Sequence, residues 1–251
     1  MKTSTLLIAS IAVAVIVAAS ASATADPRAV IELFTSQGCS SCPPADKLLS
    51  ELRSDSSLVT LSLPINYWDY LGWKDTLALP GHAARQKGYS QARGDREVYT
   101  PQVVVNGVTQ ALGSDRAEIE KAVAQSHKKL ASSPNLPVVS VPIQVALNDS
   151  RIDVTLPAGN ATAPTDVWLC PLTRSVAVGI SRGENRGRTL TYTNVVRAWV
   201  RLGTWSGQGE TLSVPVDAIK SAGVDAVAVI VQGGSAQKPG AILGASLASL
   251  H

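Results

Sequence analysis

The sequence predicts an α/β domain followed by an all-β, sandwich-like domain, behind a short apolar leader. Three observations predict this. A strand-like run, a Cys-Ser-Ser-Cys motif and a helix-like run follow one another over residues 31–52. The Ser/Pro-rich stretch "ASSPNLP" breaks the chain near its midpoint, as a linker does. Beyond it, short alternating runs are separated by Gly, Pro, Asn and Asp, with no strong helix signal. The expected organisation is a leader over residues 1–25, an α/β domain over 26–131, a linker over 132–137 and a β domain over 138–251.

The leader comprises Lys2, an apolar run over residues 6–19, and small residues with A-x-A sites at Ala21-Ser22-Ala23 and Ala23-Thr24-Ala25. One lysine and an apolar core of about 14 residues describe a secretory signal peptide better than a membrane span, which needs about 20. The expected location is periplasmic or secreted, with membrane contact only if the leader stays uncleaved.

In the first domain, "RAVIELF" is apolar and β-branched except for Glu32, which suits a buried strand. "PPADKLLSELRS" places Leu48, Leu49 and Leu52 at helical spacing, with Pro where a first turn tolerates it. "SLVTLSLPI" reads as a second strand, and "GHAARQKGYSQA" as a short amphipathic helix within a long insertion. "TPQVVVNGVTQALG" reads as a hairpin turning at Asn106-Gly107. A helix capped by Ser/Asp follows in "SDRAEIEKAVAQSHKKL", with Ile119 and Val123 four apart. The second domain offers seven or eight strands, from "VVSVPIQVAL" to "GAILGASL".

Composition narrows the function. Twenty-two basic and 19 acidic residues give a net charge of +3, well mixed, which favours neither a nucleic-acid nor a membrane-surface partner. A single Met and a single Phe leave the cores to aliphatic residues, and the five Trp stand out. In an exported protein, three cysteines suggest one disulfide and one leftover thiol. Cys39 and Cys42 are the natural pair; Cys170, in "DVWLCPL", reads as a small buried hydrophobe.

Cysteines three apart across a helix start bring their Cα atoms to about 5–6 Å, the range of a disulfide. A thiol at a helix N-terminus meets free amides and the positive end of the dipole, which make it a better nucleophile. Cys39, the outer thiol, would attack, and Cys42 would resolve the mixed disulfide. Pro43 biases Cys42 away from the helical region, so a helix start at Pro43 stands as the alternative to one at Cys39, and it would weaken the dipole at Cys39. The residues leave three readings open: a redox centre exchanging with protein or small-molecule thiols and disulfides, a structural staple in a binding or assembly module, and a dithiol clip for a soft ion such as cuprous copper. His82, His127 and His251 form no cluster with Cys, so no zinc site is expected. No Gly-rich phosphate loop, G-x-S-x-G elbow or basic–aromatic interleaving is present. No cofactor is expected.

Strand, Cys-x-x-Cys, helix, strand, insertion, Thr-Pro, hairpin, Gly and helix is also the order of thioredoxin, which the first half resembles. "ELFTSQGCSSCPPADKLL", "NYWDYLGWKD", "ARQKGY" and "VYTPQVVVNG", with "GENRGRTLTYTNVVR" and "AVIVQ" in the second half, look like the exported bacterial family known as domain of unknown function 1223. That resemblance implies a thioredoxin-like fold for the first half and no particular reaction. The family pattern places a His and an Asp just before the Tyr-Trp pair; here Pro64 and Asn66 stand in "LPINYWD". Any role that needs that His or Asp is in doubt for this chain.

The thioredoxin resemblance also assigns further residues. Glu32 would sit in the strand beneath the redox pair and take the proton of Cys42; the competing reading pairs it with a base such as Arg28. Thr100 and Pro101 would form a cis peptide beside the pair and leave the preceding backbone free for an extended substrate. Tyr67 and Trp68 lie on a loop near the active face, as a substrate contact or as a cap over the core. In the second half, Arg182, Arg186 and Arg188 form a basic hairpin tip, either a solvated turn or a docking patch for an acidic partner or for the first domain. Arg197 and Arg201 flank Trp199 on one strand face, a candidate interdomain contact.

Overall fold

The computed structural model describes residues 27–132, 141–148, 150–160 and 163–250. The leader, the linker beyond Ser132 and His251 lie outside them.

β1 (Ala29–Thr35) and β2 (Leu58–Pro64) pair in parallel across the crossover helix α1 (Pro43–Leu52), and both strands are buried along their whole length. Near-continuous apolar runs suit such a pair, since both of its faces are covered. α1 begins at Pro43 with Cys42 as its N-cap, where the missing proline N–H would have had no intrahelical partner. A 3-10 turn (Asp69–Leu71) and α2 (Pro80–Arg93) fill the long insertion. β3 (Gln102–Val105) and β4 (Thr109–Leu112) form the hairpin, and α3 (Arg116–Ala131) follows, with the Asp115 side chain accepting from the Glu118 N–H. Asn106 and Gly107 have φ of 50° and 71°, but the connection spans residues 106–108, one more than the Asn-Gly pair alone predicts. Asn106 is recruited elsewhere: Oδ1 accepts from the Val30 N–H at 2.8 Å, and Nδ2 donates to Ser126 Oγ at 2.9 Å.

The second half comprises β5 (Gln144–Leu147), β6 (Arg151–Leu156), β7 (Thr165–Gly179), β8 (Thr189–Val196), β9 (Val200–Trp205), β10 (Glu210–Pro215), the short α4 (Val216–Ile219), β11 (Ala226–Gly234) and β12 (Pro239–Ser249). Two strands differ from expectation. "DVWLCPL" and "SVAVGI" belong to one long strand, β7, and "RTLTYTNVVRAWVRLGTW" divides into β8 and β9.

The fold is mixed α/β, with one large mixed sheet in the order β12-β11-β7-β8-β2-β1-β3-β4, β9 also pairing with β7, and a second, antiparallel sheet β10-β6-β5. The small sheet covers the large one locally, closing a core of Ile152, Val154 and Leu156 against Val167, Leu169, Val227 and Val229. The two halves share the large sheet. Ser62 of β2 pairs in parallel with Val195 of β8, and Asn194 Nδ2 donates to Thr60 O (3.0 Å) and Oγ1 (3.2 Å). Hydropathy patterns reveal strands but not which edge a distant strand will join.

Alternation along β1 sorts its side chains onto two faces. Ile31 and Leu33 pack under α1 and α3, with Leu48, Leu49, Leu52, Ile119 and Val123. Val30 and Phe34 point the other way, toward Tyr89 of α2 and residues of β7 and β11.

Candidate functional site

Cys39 and Cys42 form a disulfide at the start of α1, with Cα atoms 5.4 Å apart. Both are buried, Cys39 being 4% exposed. Three structures surround them.

The first is an aromatic shelf. Gly38 lies so close to Trp68 that a Cβ there would sit 3.1 Å from Trp68 Cβ, so a side chain at this position would push the shelf away. Trp68 stacks on Tyr70, which is 75% exposed, and donates Nε1–H to Thr100 Oγ1 at 2.7 Å. The Thr100–Pro101 peptide is cis, and Pro101 and Ala45 of α1 both crowd against Gly113. Tyr67 contacts the Trp68 ring and donates its hydroxyl to Gln86 Oε1. Thr100, Trp68 and Tyr67 thus contact one another, with Trp68 against Gly38 and Pro101 near Gly113 beside α1.

The second is a cap from the distant half of the chain. Asn185, wholly buried in the loop between β7 and β8, donates Nδ2–H to Gln37 O (3.0 Å) and Cys39 O (2.9 Å), while its Oδ1 accepts from Arg188 Nη1 (2.9 Å). Glu184 Oε2 accepts from the Ser40 N–H at 3.2 Å. The basic tip therefore docks onto the first half, but through Glu184 and Asn185; of its three arginines, Arg188 orients Asn185. Below the cap, Asp75 accepts from the Gln37 and Leu77 amides at 2.8 and 2.9 Å.

The third is a buried carboxyl. Asp46 lies one turn after Cys42, its N–H bonded to Cys42 O at 3.1 Å. It is 4% exposed, and neither carboxyl oxygen has a hydrogen-bond partner. Burial pushes its pKa well above the usual carboxylate range; Thr35 Oγ1, near it without hydrogen-bond geometry, lowers it a little, and Asp75 raises it. The Thr35, Ser62 and Tyr192 hydroxyls are also buried without partners. An unpartnered polar group costs about 1–3 kcal/mol, so such a group calls for a role or a bound water.

Glu32 sits elsewhere. It leaves β1 on the α2 face, opposite α1 and Cys42. Its oxygens accept from Arg85 Nε (2.7 Å) and the Tyr89 hydroxyl (2.5 Å), and Arg85 Nη2 also donates to Gln232 Oε1 of β11 (2.8 Å). Arg85 lies 4.0 Å over the Trp199 ring, so the interdomain contact expected at Trp199 exists with Arg85 as its cation. Arg28, named above as a partner for Glu32, pairs with Glu120 and Asp55 instead. Arg201 pairs with Asp166.

Asp46 had a sequence signal: Cys42, Ala45, Asp46 and Leu49 follow the i, i+3, i+4, i+7 pattern of one helix face. Asn185 had none, because its partners lie 146 and 148 residues away.

The remaining candidates are structural. Cys170 is free and buried, and burial pushes its pKa up, so it is no nucleophile. His82 Nδ1 faces Pro64 O at 2.9 Å, and His127 Nε2 faces the Arg28 carbonyl at 2.7 Å. Among the described residues, no group of three or more His, Cys, Asp or Glu is placed to hold a metal ion, and no helix is long and apolar enough to cross a membrane.

A family model described as Protein of unknown function (DUF1223) matches residues 30–232. The chain belongs to the DUF1223 family. The match spans both halves, cap and cysteines included. The crystal structure of protein AGR_C_4864 from Agrobacterium tumefaciens is similar to this DUF1223 protein at 32% identity, with a TM-score of 0.76 over 90% of this chain and 96% of that one. HBP35 of Porphyromonas gingivalis shares the fold alone, at 14% identity and a TM-score of 0.56 over 90% of this chain and 76% of that one. No curated protein matches the sequence.

Proposed function

We propose that this DUF1223 protein is an exported thiol-disulfide oxidoreductase with a thioredoxin-like first half, in which Cys39 attacks, Cys42 resolves and Asp46, in place of Glu32, takes the proton of Cys42. The observation that carries the reading is the pairing of the disulfide at the start of α1 with a buried, unpartnered carboxyl one turn along the same helix face. The strand order β2-β1-β3-β4, with α1 crossing between β1 and β2, agrees with the thioredoxin-like assignment. The apolar run ahead of the A-x-A sites supports export.

The chemistry balances without a cofactor. The Cys39 thiolate attacks a disulfide R–S–S–R′, forming Cys39–S–S–R and releasing R′S⁻. Cys42 passes its proton to the Asp46 carboxylate and attacks Cys39 Sγ, restoring the Cys39–Cys42 disulfide and releasing RS⁻, which takes up a proton. The substrate disulfide is reduced and the protein dithiol oxidised; an external dithiol must reduce the protein again.

Cys42→Ser should trap a mixed disulfide with a peptide disulfide through Cys39, whereas Cys39→Ser should trap little; equal trapping, or none with either, defeats the reading. Asp46→Asn should slow resolution near neutral pH, and the defect should shrink as pH rises and Cys42 ionises unaided. A second reading has its own support: the clamp of Asn185 and Glu184 over the pair suits a structural disulfide in a binding module. That reading predicts no trapping with either variant.

A further inference from the structure

Between α2 and the β11–β12 turn lies a cleft of about 880 Å³ that the exchange chemistry does not use. Tyr67, Ala83 and Val98 give it an apolar wall, and Lys87, Arg96 and Lys238 line it with positive charge. None of these three cations is in an ion pair among the described residues. The nearby acids are engaged elsewhere: Asp95 by Arg93 at 2.6 Å, and Glu97 by the Gln110 amide at 2.6 Å.

Three separate segments are brought together to make this arrangement. Gly88 admits the β11–β12 turn against α2, since a Cβ there would fall 2.6 Å from Gln237 O and 2.7 Å from Pro239 Cδ, and this approach sets Lys238 beside the helix that carries Lys87. Arg96 holds φ at 57°, a conformation uncommon for a non-glycine residue, with its N–H bonded to Ser90 O at 3.3 Å. Like charges gathered without counter-charges are stabilised by an anion.

Side-chain contacts link the cleft wall to the segment that carries the disulfide. Tyr67 on its wall contacts the Trp68 ring at 5.8 Å between centroids, and Trp68 abuts Gly38, next to Cys39. We infer that the cleft binds the acidic side chains of a polypeptide substrate whose reacting cysteine lies on the Trp68–Tyr70 shelf. An extended segment lying across Tyr67 and Trp68 would present its acids to the cleft on one side of that cysteine. The apolar wall suits the stems of Glu side chains. This inference rests on the exchange reading for its purpose, but the binding itself is measured apart from exchange.

The probe is a rhodamine-labelled 12-residue peptide with Ser in place of the reacting cysteine and Glu residues along one side of it, titrated by fluorescence anisotropy into the oxidised full chain. The Glu peptide should bind at least ten-fold tighter than its Gln counterpart. That preference should weaken as salt rises, and it should be lost in Lys87→Glu/Lys238→Glu, whose exposed charge changes leave the core intact. Equal binding of the Gln peptide, or unchanged binding by the double variant, overturns the inference. Binding of phosphatidylglycerol vesicles through Lys87 and Lys238 without binding of the peptide overturns it too, and assigns the cleft to lipid. Peptide binding with no Cys42→Ser trapping removes the exchange reading and leaves an acidic-peptide site; trapping without the charge preference removes the cleft alone.

Discussion

A carboxyl buried without a partner tends to keep its proton, because the charged form loses its hydration and gains nothing in return. Asp46 is in that position. Its pKa is raised by burial, so the folded protein holds a proton that the unfolded chain releases above its ordinary value. The stability this group allows is present at acid pH and lost as pH rises through the folded pKa. Asp46→Asn should therefore be more stable than the parent at pH 8, by about 1–3 kcal/mol, and nearly equal to it at pH 4, as measured by urea unfolding. A variant less stable at pH 8 would show that the carboxylate is satisfied. His82 works the opposite way. Burial lowers its pKa from 6.5 to about 4, so its contribution is present above 6.5 and lost as pH falls toward 4. His82→Asn should flatten the acid limb of the stability profile over that range; an unchanged limb assigns it to other groups.

At the scale of elements, the cap formed by the β7–β8 loop holds the backbone around the pair. Asn185→Ala removes two donors and leaves the Gln37 carbonyl unpartnered, while Cys39 O keeps the Cys42 N–H at 3.2 Å, a cost of about 1–3 kcal/mol. The variant should lose that stability, and dithiothreitol should reduce its disulfide several-fold faster; an unchanged rate would mean that the loop does not gate the sulfurs. The same loop marks where sequence stops being informative. Strands, helices and the hairpin of the first half are local patterns, and they could be read from the spacing of Leu48, Leu49 and Leu52 or from Asn106-Gly107. Cys39 and Cys42 were legible because three residues suffice to pair them. Asp46 occupies a helix-face position legible in the sequence, whereas Glu32, a strand acid among apolar neighbours, looks like a buried base until its face is known. Arg85 decides that face. Its place over Trp199 and beside Gln232 depends on strands more than 100 residues away, which no local period encodes.

Across the whole molecule, the Glu32–Arg85–Gln232 network and the β2–β8 contact join the two halves. Glu32→Gln leaves the buried Arg85 guanidinium short of its counter-charge, so it should cost about 3–5 kcal/mol while Cys42→Ser trapping proceeds at the parent rate. A slower exchange without loss of stability would restore Glu32 as the proton acceptor. The shared sheet also predicts one cooperative unfolding transition for the full chain, with residues 26–131 unable to fold alone because Val30, Phe34 and Leu61 lose their cover from β7 and β11. Two transitions, or a folded fragment, would contradict this. The central claim is that the pair at the start of α1 works as a redox centre, and the reduction potential of Cys39–Cys42, equilibrated against glutathione or dithiothreitol, tests it most directly. The account predicts a value above about −300 mV, in the range of exchanging dithiols, and a value below it, where structural disulfides lie, would contradict the account.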